Sequence, residues 1–493
     1  MLKKFIIILL ALSVSFPGAA RRTIFVSSSK GNDSNSGLST EAPVRTLARA
    51  RELGDDIRLR GGDTFYESTH RKKGFNYRPY YDGQKARPVI SGFRIIPAGM
   101  STSLWQQGCF NESGEWMPSA EGNIYRLDLE AEGFEGYLGN TSSKSGNIGT
   151  LYDPEKDILY GRKCQFQSKE IYDRTEGFKT NSPYKYMYKD MDSFQPSDDF
   201  RYLYVLCNDR SKLIGKELWL SMGDFAVRGT DFTLTGLSII GWGRHGCRAD
   251  SRVTVKDCEF DIIGGSILES YPYWIRFGNG AEVWAKSAVD VIVERCTFSR
   301  VFDTATTIQG NMPESEGSFC TNIHFRHNVM RNCRQDFEVW INNPEGLQPS
   351  DCSFTHNKGY DCGYNGFETG EYNNSHLLYY FQQDSSPLEG FRIEKNSFYG
   401  GMALYYANTN IRYLKIGRNK YFCSLGAPVL HAYYGQLEIN APVLENGQYR
   451  YAVDLDEEGR IIYALTGSRT AAVKGVEVLV NRLTGADFRL VVR

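Results

Sequence analysis

The chain has 493 residues, 41% of them hydrophobic and 23% charged, enough apolar material for a sizeable core, which excludes a disordered or collagen-like chain. With 57 Lys plus Arg against 58 Asp plus Glu the formal net charge is -1, so no overall field recruits nucleic acid or an anionic membrane surface, and no nucleic-acid partner is expected. The 49 Gly, 31 Tyr and 28 Phe favour a β-rich chain with many turns, and length alone sets no domain count, because a repeat fold extends a single core.

Lys3 and Lys4 precede an apolar run from Phe5 to Val14, and Gly18-Ala19-Ala20 supplies small residues before Arg21. This is the layout of a cleavable secretory leader over residues 1–20, and it predicts a secreted or periplasmic protein. The run is shorter than the roughly 20 residues a bilayer requires, and no later segment is long and apolar enough, so no membrane span is expected. Eleven cysteines leave at least one unpaired, and export permits disulfides without requiring them. The cysteines lack zinc-ribbon spacing and the histidines are scattered, so no metal ligands are assigned.

Phe25-Val26-Ser27 reads as a strand and Gly31 to Gly37 as a turn. That turn lacks the Lys-Ser/Thr ending of a phosphate loop; no cofactor is expected, with calcium in this turn left open. Residues 44 to 53 read as a short helix with Val44, Leu47, Ala48 and Leu53 on one side, suited to closing the end of a coil. Gly61, Gly62 and the run from Pro88 to Gly92 suggest further early turns, so 21–92 is assigned to an N-terminal cap and first coils. Over 93–222 strand-like runs such as Tyr202 to Leu206 alternate with long polar loops, an inserted β-rich subdomain that could wall a cleft, bind substrate or cover its neighbour.

From residue 232 one short pattern returns seven times: an apolar or β-branched residue, two variable residues, then Asn, Cys or Leu. The instances are Leu234 to Leu237, Val255 to Cys258, Val293 to Cys296, Phe325 to Asn328, Phe354 to Asn357, Ile393 to Asn396 and Ile416 to Asn419. The shortest separations, Leu237 to Cys258 and Asn396 to Asn419, are 21 and 23 residues, one turn of a coil of short strands. Such strands are too short to stand alone and must stack on their copies, which makes a solenoid over 223–435. An Asn repeated at one inward corner can bond its neighbour along the axis, while Cys or Leu plugs the same slot; Cys258 and Cys296 are read as such plugs. His327 and His356, which precede ladder asparagines, are read as corner residues, and Asp303 and Asp361 as turn residues. The tail, 436–493, carries strand-like runs at Tyr449 to Val453 and Ile461 to Leu465 and a helix or strand at Ala471 to Leu483, and is assigned to a C-terminal cap.

These ladder residues and the strand, turn and cap at the start of the chain resemble the secreted bacterial right-handed parallel β-helix proteins of the pectate-lyase-like superfamily, over residues 22–92 and 223–435. The resemblance implies an all-β, right-handed parallel β-helix solenoid with an N-terminal cap and an inserted β-rich subdomain. The calcium-binding Asp cluster and basic residue of pectate lyases find no residue-by-residue match in this chain.

Each ladder position is followed by a second strand, and four segments align: Ala281-Glu282-Val283-Trp284, Thr306-Thr307-Ile308-Gln309, Phe337-Glu338-Val339-Trp340 and Gly366-Phe367-Glu368-Thr369. With Val283, Ile308 and Val339 inward, alternation forces Glu282, Thr307, Glu338 and Glu368 outward in one column, with Asp336 on the same face and Trp284, Gln309 and Trp340 in the next column. Carboxylates beside aromatic platforms suit sugar chemistry. Glu282, Glu338, Glu368 and Asp336 are therefore the candidate catalytic residues, and Trp284, Trp340, Gln309 and Tyr405 the candidate substrate-binding ones. At about 4.8 Å per coil, Glu338 with Glu368 would approach retaining spacing and Glu282 with Glu338 the wider inverting spacing. The expected protein is a monomeric glycoside hydrolase acting on a polysaccharide or oligosaccharide. The alternatives are a lyase acting on a uronate-containing polymer, with His245, His327, His356, Arg244, Arg326 or Arg334 supplying base and cation, and a non-catalytic glycan-binding protein.

Overall fold

The computed structural model describes residues 21–69, 73–111, 115–130, 148–160, 193–196, 201–268, 275–284, 288–311, 320–342, 350–363, 376–381 and 391–399, followed by short strands between 405 and 492. The expected leader 1–20, the segment Ala471 to Leu483 and Glu368 lie outside them. Among the described residues no helix is long and apolar enough to cross a membrane.

All seven pattern instances occupy one register column. Leu234 pairs with Val255, then Val293, Phe325, Phe354, Ile393 and Ile416 in succession, each on a parallel strand of the next coil. Tyr77, Ile57 and Ile24 extend the column toward the N-terminus. One coil shows the plan: Val289–Glu294, Thr297–Val301 and Thr304–Asn311 are three strands separated by short corners, giving the right-handed parallel β-helix three faces. The lumen is filled by alternate residues of each strand, which is what period-2 side-chain alternation demands of a sheet with one face turned inward.

The first corner explains the repeat. Gly236, Asp257, Arg295, His327, His356 and Lys395 all adopt left-handed backbone, with φ between +51° and +67°, and the residue after each one turns into the lumen. Non-glycine residues tolerate this only where the surroundings fix them, and here the fixing is done by amides. The Oδ1 of Asn328, Asn357 and Asn396 accepts from the backbone N–H of Cys296, Asn328 and Asn357 at 2.9, 2.9 and 2.8 Å. Their Nδ2 groups donate to the carbonyls of Val293, Phe325 and Phe354 at 2.9, 3.0 and 2.9 Å. His327 and His356 are corner residues as expected, their rings stacked at 4.8 Å. Cys258 and Cys296 are buried, free thiols in the same slot, and Cys296 Sγ lies 3.4 Å from the Glu294 carbonyl.

The lumen column of the second face runs Ile90, Ile239, Phe260, Phe298, Met330, Gly359, Phe398. Opposite it, at the corner opening the third face, register aligns Gly246, Gly280, Ala305 and Asp336. Bulk is complementary across the lumen. A Cβ at Gly246 or Gly280 would come within 2.6 Å of the Phe260 or Phe298 ring. One coil reverses the arrangement, with the large residue Asp336 at the corner and glycine at 359, where a Cβ would lie 1.8 Å from Asp336 Oδ2.

The N-terminal helix Leu47–Leu53 buries Leu47 and Ala50 in the same core as Ile24 and Val26. Thr46 caps it by accepting from Arg49 N–H at 3.1 Å, and the Glu67 carboxylate takes the N–H groups of Leu47 and Ala48, satisfying donors that a helix start leaves open. Asp33, a carboxylate of the Gly31 to Gly37 turn, accepts from Arg45 N–H, Thr46 N–H and Thr46 Oγ1–H.

Between Phe93 and Ser221 the strands pair antiparallel in a four-stranded and a five-stranded sheet around an apolar core that includes Leu127, Leu151, Leu203 and Leu220. This segment covers the outer side of the second face: Phe93 packs with Ile262, Phe302, Tyr152, Trp219 and Ile240, and Arg300 bridges Asp261 of the coil and Asp157 of the segment. Near the C-terminus, Phe488–Val492 adds to Asn419–Cys423 in parallel, while Gln448–Tyr451 meets Leu414–Ile416 antiparallel, where the parallel series stops.

Candidate active site on the third face

The third face carries one continuous polar column on its outer side. Register aligns Arg228, Arg248, Glu282, Thr307 and Glu338, followed by Leu378. Trp284, Gln309 and Trp340 form the neighbouring column, and Val283, Ile308 and Val339 point into the core, as alternation predicts. The column is not a solvated surface. Glu282 is 2% exposed, Glu338 3% and Thr307 0%, so these acids sit in a dry environment where charge is costly.

At the head of the strands a second polar series, His245, Asn279, Thr304 and Gln335, flanks the acids. Asn279 N–H donates to His245 Nδ1 at 3.1 Å, Thr304 N–H to Asn279 Oδ1 at 3.2 Å and Thr304 Oγ1–H to Gln335 Oε1 at 2.7 Å. Asn279 Nδ2 reaches Glu282 Oε2 at 3.3 Å and Gln309 Oε1 at 2.7 Å, tying the acid column to the Trp column. Thr307 Oγ1 donates to Glu338 Oε1 at 3.1 Å. Arg248 lies with its guanidinium carbon 3.9 Å from the Trp284 ring centre, a cation–π contact, and its Nε is 3.6 Å from Glu282 Oε1. Arg334 pairs with Asp303 at 2.9 Å, both buried.

Burial, reinforced by the charge of Asp303, pushes the Glu338 carboxyl up to about 8. Burial also raises Glu282, opposed by Arg248, the Asn279 amide, Arg244 and Arg228. Burial raises Asp303, opposed by Arg334. His245 is driven well below the ordinary imidazole value by burial and then by Arg244, Arg248 and Arg228, so it is neutral. The site therefore presents one acid biased strongly toward its protonated form and a second carboxyl embraced by cations. With Thr307 between them, the backbones of Glu282 and Glu338 stand two coils apart, about 9.6 Å.

Register gathers Glu282, Glu338, Trp284, Gln309 and Trp340, and it corrects three expectations. The strand that follows Glu338 in the sheet is Leu377–Phe381, so Leu378 takes the register position assigned to Glu368, which itself lies outside the described residues. Asp336 does not share the outer face: at the corner the strand has not yet settled into alternation, and its carboxylate lies in the lumen beside Gly359, hydrogen-bonded to His376 Nδ1 at 2.5 Å. Burial opposes a charge on His376, but the neighbouring Cys362 and Asp336 hold it well above the ordinary value. Tyr405, expected to bind substrate, is in register with Leu377 and Phe337, outside the register columns of Glu282 and Trp284. The seven-fold repeat does not point to Asn279, Arg248 or Arg228, and Asp303 reads in the sequence as a turn residue. The parallel tetrads His245-Gly246-Cys247-Arg248 and Asn279-Gly280-Ala281-Glu282 were the available signal, since a small residue before the strand marks the corner.

No family model and no curated protein matches the chain. Among solved structures, XylC in complex with xylose aligns over 90% of this chain and 74% of its own, at 11% identity and a TM-score of 0.49. The GH136 lacto-N-biosidase of Eubacterium ramulus aligns over 84% and 67%, at 10% identity and a TM-score of 0.32. A tailspike of E. coli bacteriophage HK620 in complex with pentasaccharide aligns over 46% and 43%, at 12% identity and a TM-score of 0.30. None of these likenesses assigns a role to a residue of this chain.

Proposed function

We propose that the protein is a glycoside hydrolase acting on a polysaccharide or oligosaccharide, with Glu338 as general acid and Glu282 as general base. The observation that carries this reading is the pair of buried carboxyls on one outer column, two coils apart, flanked by Trp284 and Trp340. A backbone separation of about 9.6 Å fits the inverting arrangement, in which carboxyls roughly 6.5–9.5 Å apart leave room for a water. Glu338, held protonated near neutrality, gives its proton to the glycosidic oxygen. Glu282, beside Arg248, takes a proton from water as that water attacks the anomeric carbon. The dry surroundings keep the two carboxyls in different protonation states, which a solvated face would not do. The indole rings offer apolar surface to pyranose C–H groups, although part of the Trp284 face is taken by Arg248.

The test is a digestion screen of the chain from Arg21 onward over neutral and acidic glycans, with product mass and anomer read by mass spectrometry and NMR. Products heavier by one water with inverted configuration are expected. Products containing an unsaturated uronate would replace hydrolysis by elimination, and binding without any product would remove the enzymatic reading.

A further inference from the structure

The two oxygens of Glu282 keep different company. Oε2 lies 3.1 Å from His245 Nδ1 and accepts from Asn279 Nδ2. Oε1 is buried, has no hydrogen-bond partner among the described residues, and stands 3.6 Å from Arg248 Nε. The imidazole itself is held on three sides. Phe225 stacks on it at 4.9 Å with planes 17° apart, Phe277 meets it edge-on at 5.1 Å, and Asn279 N–H points at Nδ1. A backbone donor aimed at Nδ1 requires a bare nitrogen there, with the ring proton on Nε2. An ion pair with Glu282 would need a proton on the same nitrogen, so the close Nδ1–Oε2 contact is favourable only when Glu282 carries the proton.

We propose that His245 is a positioning residue for Glu282: its bare Nδ1, 3.1 Å from Oε2, repels the ionised carboxylate more than the protonated acid, which makes Glu282 a stronger base. This rests on the assignment of Glu282 as the base. This repulsion is relieved as the carboxyl takes the proton from water, so it favours the transition state over the ground state. The charged groups around the pair are Arg228, Arg244 and Arg248, which pull the other way, with Asp224 on Arg244 and Asp250 beside Arg248.

His245→Phe keeps the ring packed between Phe225 and Phe277 but removes the acceptor. Carboxyl 13C NMR of glutamate-labelled protein, with Glu282 assigned by its loss in Glu282→Gln, reads the effect without any substrate. The Glu282 midpoint is expected to fall by about one pH unit in His245→Phe, the worth of one hydrogen bond. An unchanged or higher midpoint overturns the proposal. Should this variant not fold, imidazole 15N shifts of the unmutated protein decide: an unprotonated Nδ1 supports the proposal, and a protonated Nδ1 defeats it. On a glycan that the unmutated protein cleaves, kcat of the variant should drop about tenfold with KM little changed, and the acidic limb should move in step with the NMR midpoint. If no glycan is cleaved, the hydrolase reading fails by itself while the NMR result still judges the contact.

Discussion

Two buried polar columns run along the same spool, and they use burial to opposite ends. In the ladder Asn328, Asn357 and Asn396, the amides pair with the backbone of the neighbouring coil, so a neutral polar group in a dry place is fully satisfied and holds the coils in register. In the column Glu282, Thr307 and Glu338, the two acids can carry charge, one Glu282 oxygen is left without a partner among the described residues, and Glu338 is pushed up to about 8. Stacking is the same in both. What differs is whether the stacked groups answer one another, and this is how a repeat built for stability acquires a reactive stretch.

The sharpest way to break this contrast is to neutralise the acids. Glu338→Gln and Glu282→Gln are each expected to lower glycan hydrolysis about 10²–10⁴-fold while leaving the melting temperature unchanged or higher, because a buried ionisable group has gone. Reducing-end release and calorimetry on the same samples check both halves, and full activity in both variants would dissolve the distinction.

The opposite profile is expected in the ladder. Asn357→Ala strands the Asn328 N–H and the Phe325 carbonyl, at a cost of about 4 kcal/mol in urea unfolding. Gly359→Ala, which brings a Cβ onto Asp336 Oδ2, should cost about 2 kcal/mol by the same measurement. A pH series sharpens the comparison further. Glu338 has its value raised from 4.5 to about 8 on folding, so it contributes most stability when protonated in both states, below about pH 4.5, and that contribution is lost as the pH rises through about 8. The melting temperature of Glu338→Gln should therefore gain on that of the parent between those limits, whereas Asn357→Ala should lag the parent by a constant gap. The smallest effect is expected from Cys296→Asn, which extends the ladder by one rung; stability should change by no more than about 1 kcal/mol, and a larger loss would mean that the thiol slot is shaped for sulfur.

The repeat was legible because it is local: two residues separate Val293 from Cys296, and the same spacing, recurring seven times, lands in a single register column. Glu282 and Glu338 were legible for a similar reason, since each opens a Glu-Val-Trp triplet whose valine must face inward. The register position expected for Glu368 goes to Leu378 because the chain between Tyr360 and Leu377 is longer than in the two preceding coils, and a pattern of alternating residues says nothing about how much loop precedes the strand. Asp336 was misplaced because alternation holds within a strand and fails at a corner, where the backbone is still rotating from one face to the next. His245 and Asn279 open matching tetrads, but they lie 34 residues apart in sequence, and the Ser266–Leu268 and Ile275–Phe277 hairpin that interrupts the coil between them hides their partnership from a search by spacing.

The exchange of bulk between Gly359 and Asp336 also limits how such a molecule can change length. A solenoid with interchangeable turns could gain or lose any one of them by duplication or deletion. Here the cross-section at that level is keyed: a copied segment that brought the aspartate without its facing glycine would have nowhere to put the side chain, and one that brought the glycine alone would leave a hole. Growth or shortening of the rod at this height must move both halves of the key together, so the distance from the acid pair to the C-terminal end is fixed by the filling of the interior as much as by the number of turns.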